Sequence, residues 1–228
     1  MKTGSKAKEL QFVATRSAGN VSAILLLPKD ADWLLVFGHG AGAGMRHKFM
    51  EAMCWRLAGQ KIGTFRYQFP YMENGSRRPD PKPILLGTVI SAIETAADMA
   101  GGIPLLAGGK SMGGRMTSMA MAEKKSRDVQ GLVFFGFPLH PSGQPSTERA
   151  EHLSRVDLPM LFIQGTRDPL ADLTLLKPIC RKLGSRAHLH IIDGADHSFH
   201  VLKSSGKTDD VVLDELAATA ATWAAPLR

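Results

Sequence analysis

From residue 33 onward, short apolar runs of strand length alternate along the chain with longer segments of helical periodicity. Continuous apolar runs indicate strands that are buried on both faces, and their alternation with helices favours a parallel sheet covered on both faces. We therefore expect an α/β fold with a mostly parallel central sheet of about seven to eight strands. The strand-like runs are residues 33–37, 62–67, 103–108, 132–135, 159–163 and 188–192, and the helical segments are residues 49–57, 85–99, 115–125, 173–183 and 209–223.

The first 30 residues have a different pattern. Residues 11–15 and 21–27 are strand-like and flank Gly19-Asn20, a dipeptide typical of hairpin turns. We expect an antiparallel hairpin there, preceded by a loose tail over residues 1–9. The chain has 228 residues, a length that suits a single α/β domain over residues 1–228.

Functional residues are expected at one edge of this sheet, because α/β sheets bind ligands at the carboxyl ends of their strands. Gly-rich or polar loops follow four predicted strands at that edge. These loops are residues 38–44, 109–113, 165–168 and 193–197.

The sequence Gly109-Lys110-Ser111-Met112-Gly113 lies between a predicted strand and a predicted helix. In this context Gly-x-Ser-x-Gly is the sequence form of a nucleophile elbow, a sharp turn that presents the serine hydroxyl. A phosphate-binding loop would need a glycine where the chain has Pro104, so that alternative fails. An ordinary Gly-rich turn is the other alternative. We predict that Ser111 is a nucleophile.

A serine hydroxyl needs a base that takes its proton and a carboxylate that orients the base. In the elbow architecture these partners follow the serine in the order carboxylate, then histidine. Asp168 and His197 occur in that order, each just after a predicted strand. The nearby alternatives are Asp172, which lies where a helix begins and suits an N-cap, and His200.

The loop at residues 38–44 has no bulky side chain except His39. Its small residues let the backbone approach a substrate, so we predict that the N–H groups of Ala41 and Met112 donate to the oxyanion of a tetrahedral intermediate. Gly42 is the alternative to Ala41. We expect His39 to hold the loop by a side-chain hydrogen bond rather than to act as a base.

Composition argues against several function classes. The net charge is +7, but the basic residues are scattered and are not interleaved with aromatics, so we expect no nucleic-acid partner. The apolar runs are too short to span a bilayer, and we expect no membrane association and a cytoplasmic location. Cys54 and Cys180 form no ligand pair, and we expect neither a metal nor a cofactor. A homodimer is compatible with the sequence, which does not determine the oligomeric state.

Together these motifs resemble the α/β-hydrolase superfamily, from about residue 21 to the C-terminus. The chain is similar to a small branch that contains dienelactone-hydrolase-like proteins and the hydrolase-like domain of a chromatin acetyltransferase-complex subunit. The resemblance is carried by His39-Gly40-Ala41-Gly42, by Gly109 to Gly114, by Gln164-Gly165-Thr166-Arg167-Asp168 and by Asp196-His197.

The resemblance implies an α/β-hydrolase fold in which Ser111 is the nucleophile, Asp168 the acid and His197 the base. Dienelactone hydrolases themselves use cysteine as the nucleophile, so their substrate is not implied. Larger relatives insert a cap domain after the sixth strand, and residues 139–157 are too few for one. The site should therefore be open. Candidate substrate-wall residues are His39, Gly42, Tyr67, Tyr71, Met72, Arg77 and Leu139.

The sequence thus predicts a serine hydrolase, carboxylesterase-like, that cleaves an ester, thioester or related acyl bond of a small-molecule substrate through an acyl-enzyme. The alternative is a hydrolase fold retained as a non-catalytic binding or scaffold module, which the chromatin-complex relative and the basic surface would suit.

Overall fold

The computed structural model describes residues 6–228, and within them eight strands form one sheet. The strands are β1 Lys8–Thr15, β2 Gly19–Leu26, β3 Trp33–Gly38, β4 Ile62–Tyr67, β5 Leu105–Lys110, β6 Val129–Phe135, β7 Met160–Gly165 and β8 Ala187–Ile192. The same residues contain the helices α1 Lys48–Gly59, α2 Pro70–Glu73, α3 Lys82–Met99, α4 Met112–Glu123, α5 Leu173–Leu183 and α6 Asp209–Ala224. A 3₁₀ helix, Glu148–Arg155, lies between β6 and β7.

The strands are arranged in the order β1-β2-β4-β3-β5-β6-β7-β8. β1 and β2 form an antiparallel hairpin, and β2 pairs antiparallel with β4. All other pairs in the sheet are parallel. The predicted mostly parallel sheet with an N-terminal antiparallel hairpin is therefore confirmed.

Helices cover both faces of the sheet, and β3 shows how the two layers are built. Side chains alternate between the faces of a strand, so Leu34 and Val36 pack in the core that includes α3 and α4. Leu35 and Phe37 pack in the opposite core, which includes α1 and α6. Burying each such side chain contributes about 1.5–3 kcal/mol, and the central strands are held from both sides.

Several element boundaries differ from those predicted. β1 begins at Lys8, so the predicted tail is wrong for residues 8 and 9, and residues 1–5 lie outside the described part. The hairpin turn is at residues 16–18, where the N–H of Ala18 donates to Thr15 Oγ1 at 3.0 Å, and Gly19 with φ of 77° already begins β2. α2 was not predicted; it begins with Pro70, whose fixed φ suits the first helical position.

The segment between β6 and β7 contains the 3₁₀ helix and no additional layer, so within residues 6–228 no cap covers the sheet edge. Among the same residues, no helix combines the length and the apolar character that a bilayer crossing requires. The carboxyl ends of β3, β5, β7 and β8 are thus left open for the loops that carry the predicted site.

Candidate active site

Ser111 lies in the sharp turn between β5 and α4, with φ of 51° and ψ of −116°. Positive φ is uncommon for residues other than glycine and stores backbone strain, often at functional sites. The turn also needs glycine on either side. A Cβ at Gly109 or at Gly113 would collide with the carbonyl oxygen of Gly38 at the end of β3. The spacing seen in the sequence therefore has a steric cause, which is the close approach of β3 to the start of α4.

The structure brings the three predicted triad residues together at the carboxyl edge. His197 Nε2 lies 2.9 Å from Ser111 Oγ, and His197 Nδ1 lies 2.7 Å from Asp168 Oδ2. A carboxylate can only accept, so Nδ1–H donates to Asp168 and Nε2 is left to accept the hydroxyl proton of Ser111. This arrangement can move a proton from the serine to the imidazole.

Asp168 is held by more than the histidine. Its Oδ1 accepts the N–H of Leu170 at 2.8 Å, and its Oδ2 also accepts the side-chain amide of Gln164, a fully buried residue of β7. The side chain of Asp168 is 1% exposed. The alternative carboxylate, Asp172, instead accepts the N–H of Thr174 at 2.7 Å as the N-cap of α5.

His197 lies in a loop of residues 193–201 that a second carboxylate organises. Asp196 Oδ1 accepts the N–H groups of Ser198 at 2.7 Å and His200 at 3.0 Å. The alternative base, His200, points outward and pairs with Asp209, Nδ1 lying 2.9 Å from Oδ2. Asp196 is next to His197 in the sequence, but its role in organising the loop could not be predicted, because that role depends on how residues 196–200 turn.

Lys110 is a second residue that the sequence pattern did not assign. Its ammonium Nζ donates to the carbonyl oxygen of His197 at 2.6 Å and lies 5.7 Å and 5.4 Å from the ring centroids of Phe49 and Phe199. Burial lowers the pKa of Lys110 to about 8, and the charges of Asp168 and Asp196 oppose that shift. Lys110, directly before the predicted nucleophile, thus holds the loop that carries His197.

The two predicted oxyanion donors remain available. Met112 is the first residue of α4, where a backbone N–H has no intrahelical acceptor. Within the described chain, neither its N–H nor that of Ala41 donates to a protein acceptor. The loop lies close to the serine, since a Cβ at Gly40 would be 3.7 Å from Ser111 Cβ. Both N–H groups can therefore serve an incoming oxygen.

Comparison with known proteins gives the family. The sequence profile described as "Alpha/beta hydrolase domain" matches residues 31–225. The chain belongs to this alpha/beta hydrolase domain family.

Solved structures similar to this α/β-hydrolase domain have the same fold. A dienelactone hydrolase from Anabaena variabilis has a TM-score of 0.74 at 20% identity, over 96% of this chain and 97% of that one. An alpha-beta serine hydrolase homologue from Coxiella burnetii has a TM-score of 0.74 at 18% identity, over 93% and 96%. An α/β serine hydrolase without a lid from Xanthomonas campestris has a TM-score of 0.70 at 18% identity, over 96% of both chains. The predicted capless fold is confirmed, while the similarity to a chromatin-complex subunit stays a prediction.

Ser111 of this α/β-hydrolase domain borders a cavity of about 820 Å³, which we call the serine cavity. Phe49 and Met50 of α1 and Leu213 of α6 give it apolar walls, and Ala41 borders it from the loop after β3. His47 stands at its rim, where burial and then the charges of Lys48 and Lys110 lower its pKa. The cavity offers an acyl or alcohol group a mainly apolar surface beside Ser111.

His39 holds the loop after β3, as predicted, but the prediction that it also forms a substrate wall is wrong. It is fully buried, Nε2 accepts the N–H of Phe69 at 3.1 Å and Nδ1–H donates to the carbonyl of Gly40 at 2.8 Å. Burial lowers the pKa of His39 to about 4. Because the ring is neutral and both of its nitrogens are hydrogen-bonded, His39 fixes the loop and has no donor or acceptor left for a substrate.

Most other predicted wall residues also lie elsewhere. The N–H of Gly42 donates to the hydroxyl of buried Tyr71 at 3.2 Å, so Gly42 is neither a wall nor a free oxyanion donor. Arg77 is exposed and does not border the serine cavity, and Leu139 is buried against a different cavity. These predictions were wrong because composition shows that a loop is near the site but not which way each side chain turns. Tyr67 and Met72 likewise do not border the serine cavity.

Proposed function

We propose that this chain is a serine hydrolase that cleaves an ester, thioester or related acyl bond through an acyl-enzyme. The observation that carries the proposal is the continuous set of contacts from Ser111 Oγ through His197 to Asp168, at 2.9 Å and 2.7 Å. These lengths are within the reach required for a nucleophile, its base and the group that orients the base.

The first half of the reaction acylates the serine. Ser111 Oγ attacks the acyl carbon while His197 Nε2 takes the hydroxyl proton, and the carbonyl electron pair moves onto the oxygen. The N–H groups of Ala41 and Met112 stabilise that oxyanion, a contribution in which losing one donor typically costs about 10²–10³ in rate. The oxyanion then collapses, and the leaving alcohol or thiol departs with the proton from His197.

The second half releases the acid. Water attacks the acyl-enzyme while His197 Nε2 takes one of its protons, and collapse of the second tetrahedral intermediate returns that proton to Ser111 Oγ. Asp168 stays ionised throughout and stabilises the imidazolium in both halves.

The similar structures support a hydrolytic reaction. They are described as a dienelactone hydrolase, a serine hydrolase homologue and a serine hydrolase without a lid. The open site and the apolar serine cavity suit a small acyl substrate such as an ester.

Hydrolysis of short 4-nitrophenyl esters tests the proposal. We expect turnover by the wild type and a loss of about 10⁴–10⁶ in His197→Ala, because the serine then has no base. His190→Ala is the matched control, since His190 pairs with Glu215 away from the serine cavity and its loss should leave turnover unchanged.

Near-wild-type turnover in His197→Ala would refute the assigned base. A wild-type protein that neither hydrolyses these esters nor reacts with a fluorophosphonate would refute the enzyme and favour the scaffold alternative.

A further inference from the structure

A second cavity, of about 560 Å³, lies between α4, the loop after β6 and the 3₁₀ helix Glu148–Arg155. Two arginines line it, Arg115 from α4 and Arg149 from the 3₁₀ helix, and we call it the arginine cavity. The serine-cavity chemistry described above uses neither residue.

The two guanidinium groups lack partners. Within residues 6–228, neither Arg115 nor Arg149 forms a salt bridge or a side-chain hydrogen bond, although both are partly buried. Arg56 shows the contrast, since it bonds to Asp210 and Asp214. Burial, and then the charge of Arg149, lowers the pKa of Arg115. Two like charges that share a cavity would be stabilised by an anion between them.

The frame that carries the two arginines is fixed. His152, on the same 3₁₀ helix as Arg149, contacts Ser118 of α4, with 2.7 Å between Nε2 and Oγ. Burial lowers the pKa of His152 to about 4, with further lowering by Arg115 and Arg155, so the ring is neutral near pH 7. This contact ties the two helices together and sets the position of Arg149 relative to Arg115.

Acidic side chains nearby do not neutralise the cavity. Glu148 lines it but is exposed and forms no ion pair with either arginine. Glu123 is paired with Lys82 at 2.9 Å. The cavity therefore keeps a net positive charge.

Arg115 connects this cavity to the nucleophile. It lies four residues after Ser111, and its N–H donates to the Ser111 carbonyl at 3.1 Å. Ser111 is the N-cap of α4 and Arg115 belongs to the first turn of that helix, so their backbones are separated by one helical turn, about 5–6 Å. The arginine cavity therefore begins within one helical turn of Ser111.

We propose that the arginine cavity binds an anionic oxygen group of the substrate, a carboxylate or phosphate located a few bonds from the scissile acyl bond at Ser111. The proposal rests on the hydrolase function proposed above and narrows it to anionic acyl substrates. Guanidinium groups match such anions because their planar N–H forks donate two parallel hydrogen bonds to a pair of oxygens.

Matched pairs of esters test this inference. One pair carries the charge in the acyl part, 4-nitrophenyl glutarate half-ester against 4-nitrophenyl valerate. The other carries it in the leaving group, the butyrate ester of 3-hydroxybenzoate against that of 3-hydroxybenzamide. We expect the charged member of at least one pair to have a kcat/KM at least about tenfold higher, as charge-assisted hydrogen bonds predict.

The variant Arg115→Gln/Arg149→Gln should abolish that preference. Arg127→Gln, which removes an exposed arginine beyond the far end of α4, should leave it intact. Inorganic phosphate and glutarate as competitive inhibitors of the neutral ester distinguish the two anion sources. The inference is overturned if neither pair shows a preference and neither anion inhibits, or if the preference survives in the double variant.

Failure of this inference can be separated from failure of the proposed function. Turnover of neutral esters with no charge preference and no anion inhibition keeps the hydrolase and overturns the anion site. If no ester is hydrolysed, calorimetric titration with glutarate and phosphate still decides, since binding that is lost in the double variant supports the site, and an absence of binding overturns it.

Discussion

Two serine–histidine contacts lie seven residues apart, one at the N-cap of α4 and one within that helix, and we propose that only the first is catalytic. Ser111 is 2.9 Å from His197, and Ser118 is 2.7 Å from His152. Ser111 occupies a strained turn beside a cavity, whereas Ser118 lies in regular helix and is fully buried. The shorter contact therefore belongs to the serine that no substrate can reach.

The far nitrogen of each imidazole gives the second difference. Nδ1 of His197 is bonded to Asp168, whereas Nδ1 of His152 has no hydrogen-bond partner within the described residues. A carboxylate stabilises the imidazolium that forms when the serine loses its proton. Basic neighbours of His152 do the opposite. A serine–histidine distance alone therefore does not identify a nucleophile, and the proposal for Ser111 rests on access, backbone strain and the carboxylate.

The largest expected effect separates the two serines directly. Ser111→Ala should lose about 10⁶ in kcat for a 4-nitrophenyl ester, because the nucleophile is gone. Ser118→Ala should retain turnover within a few-fold and lose about 1–3 kcal/mol of unfolding free energy, since two internal hydrogen bonds, to His152 and to the Arg115 carbonyl, are removed. Steady-state kinetics and chemical denaturation measure the two quantities. A comparable loss of turnover in both variants would contradict the assignment of Ser111, rather than Ser118, as the nucleophile.

Replacing the carboxylate should have the next largest effect. Asp168→Asn keeps the size of the side chain but presents a donor to Nδ1, which favours the wrong histidine tautomer and should lower kcat by about 10⁴. Asp172→Ala is the control: it removes the N-cap of α5 and should cost about 1 kcal/mol of stability with kcat preserved. Equal kcat values for Asp168→Asn and wild type would mean that the carboxylate does not orient His197.

The third difference between the two histidines is the contact of His197 with Lys110. Lys110→Met keeps much of the buried side-chain volume but removes the ammonium that holds the His197 carbonyl. We expect kcat to fall by about 10–100-fold with a smaller change in KM, because a displaced base loses rate more than binding. A change confined to KM, or to thermal stability, would show that the lysine does not position the histidine.

The smallest expected effect is on acid stability and involves the buried pair. The pKa of His152 in the folded protein is about 4, against about 6.5 in an unfolded chain. Between these values the unfolded chain binds a proton that the folded chain does not, so the unfolding free energy falls as the pH drops from 6.5 toward 4. His152→Gln should flatten that dependence, and His39 should maintain part of it. An unchanged slope in His152→Gln would contradict the buried, neutral state of this ring.

The sequence predicted the layered sheet because each buried strand is a continuous apolar run and each loop of the site follows one. Ser111, Asp168 and His197 could be proposed for the same reason, since their positions after strands are a property of chain order. Gln164, Lys110 and Asp196 could not, because their partners are set by how loops close in space. The prediction that Tyr71 and His39 form substrate walls was wrong for the same reason, because both side chains turn inward and hold the loop after β3.

The location of a fluorophosphonate adduct, determined by peptide mass spectrometry, identifies the reactive serine directly. Lys110 and Arg115 flank Ser111, so trypsin separates Ser111, in peptide 111–115, from Ser118, in peptide 116–124. We expect the adduct on peptide 111–115 of the wild type and no adduct in Ser111→Ala. An adduct on peptide 116–124, or undiminished labelling of Ser111→Ala, would contradict the assignment of Ser111 as the nucleophile.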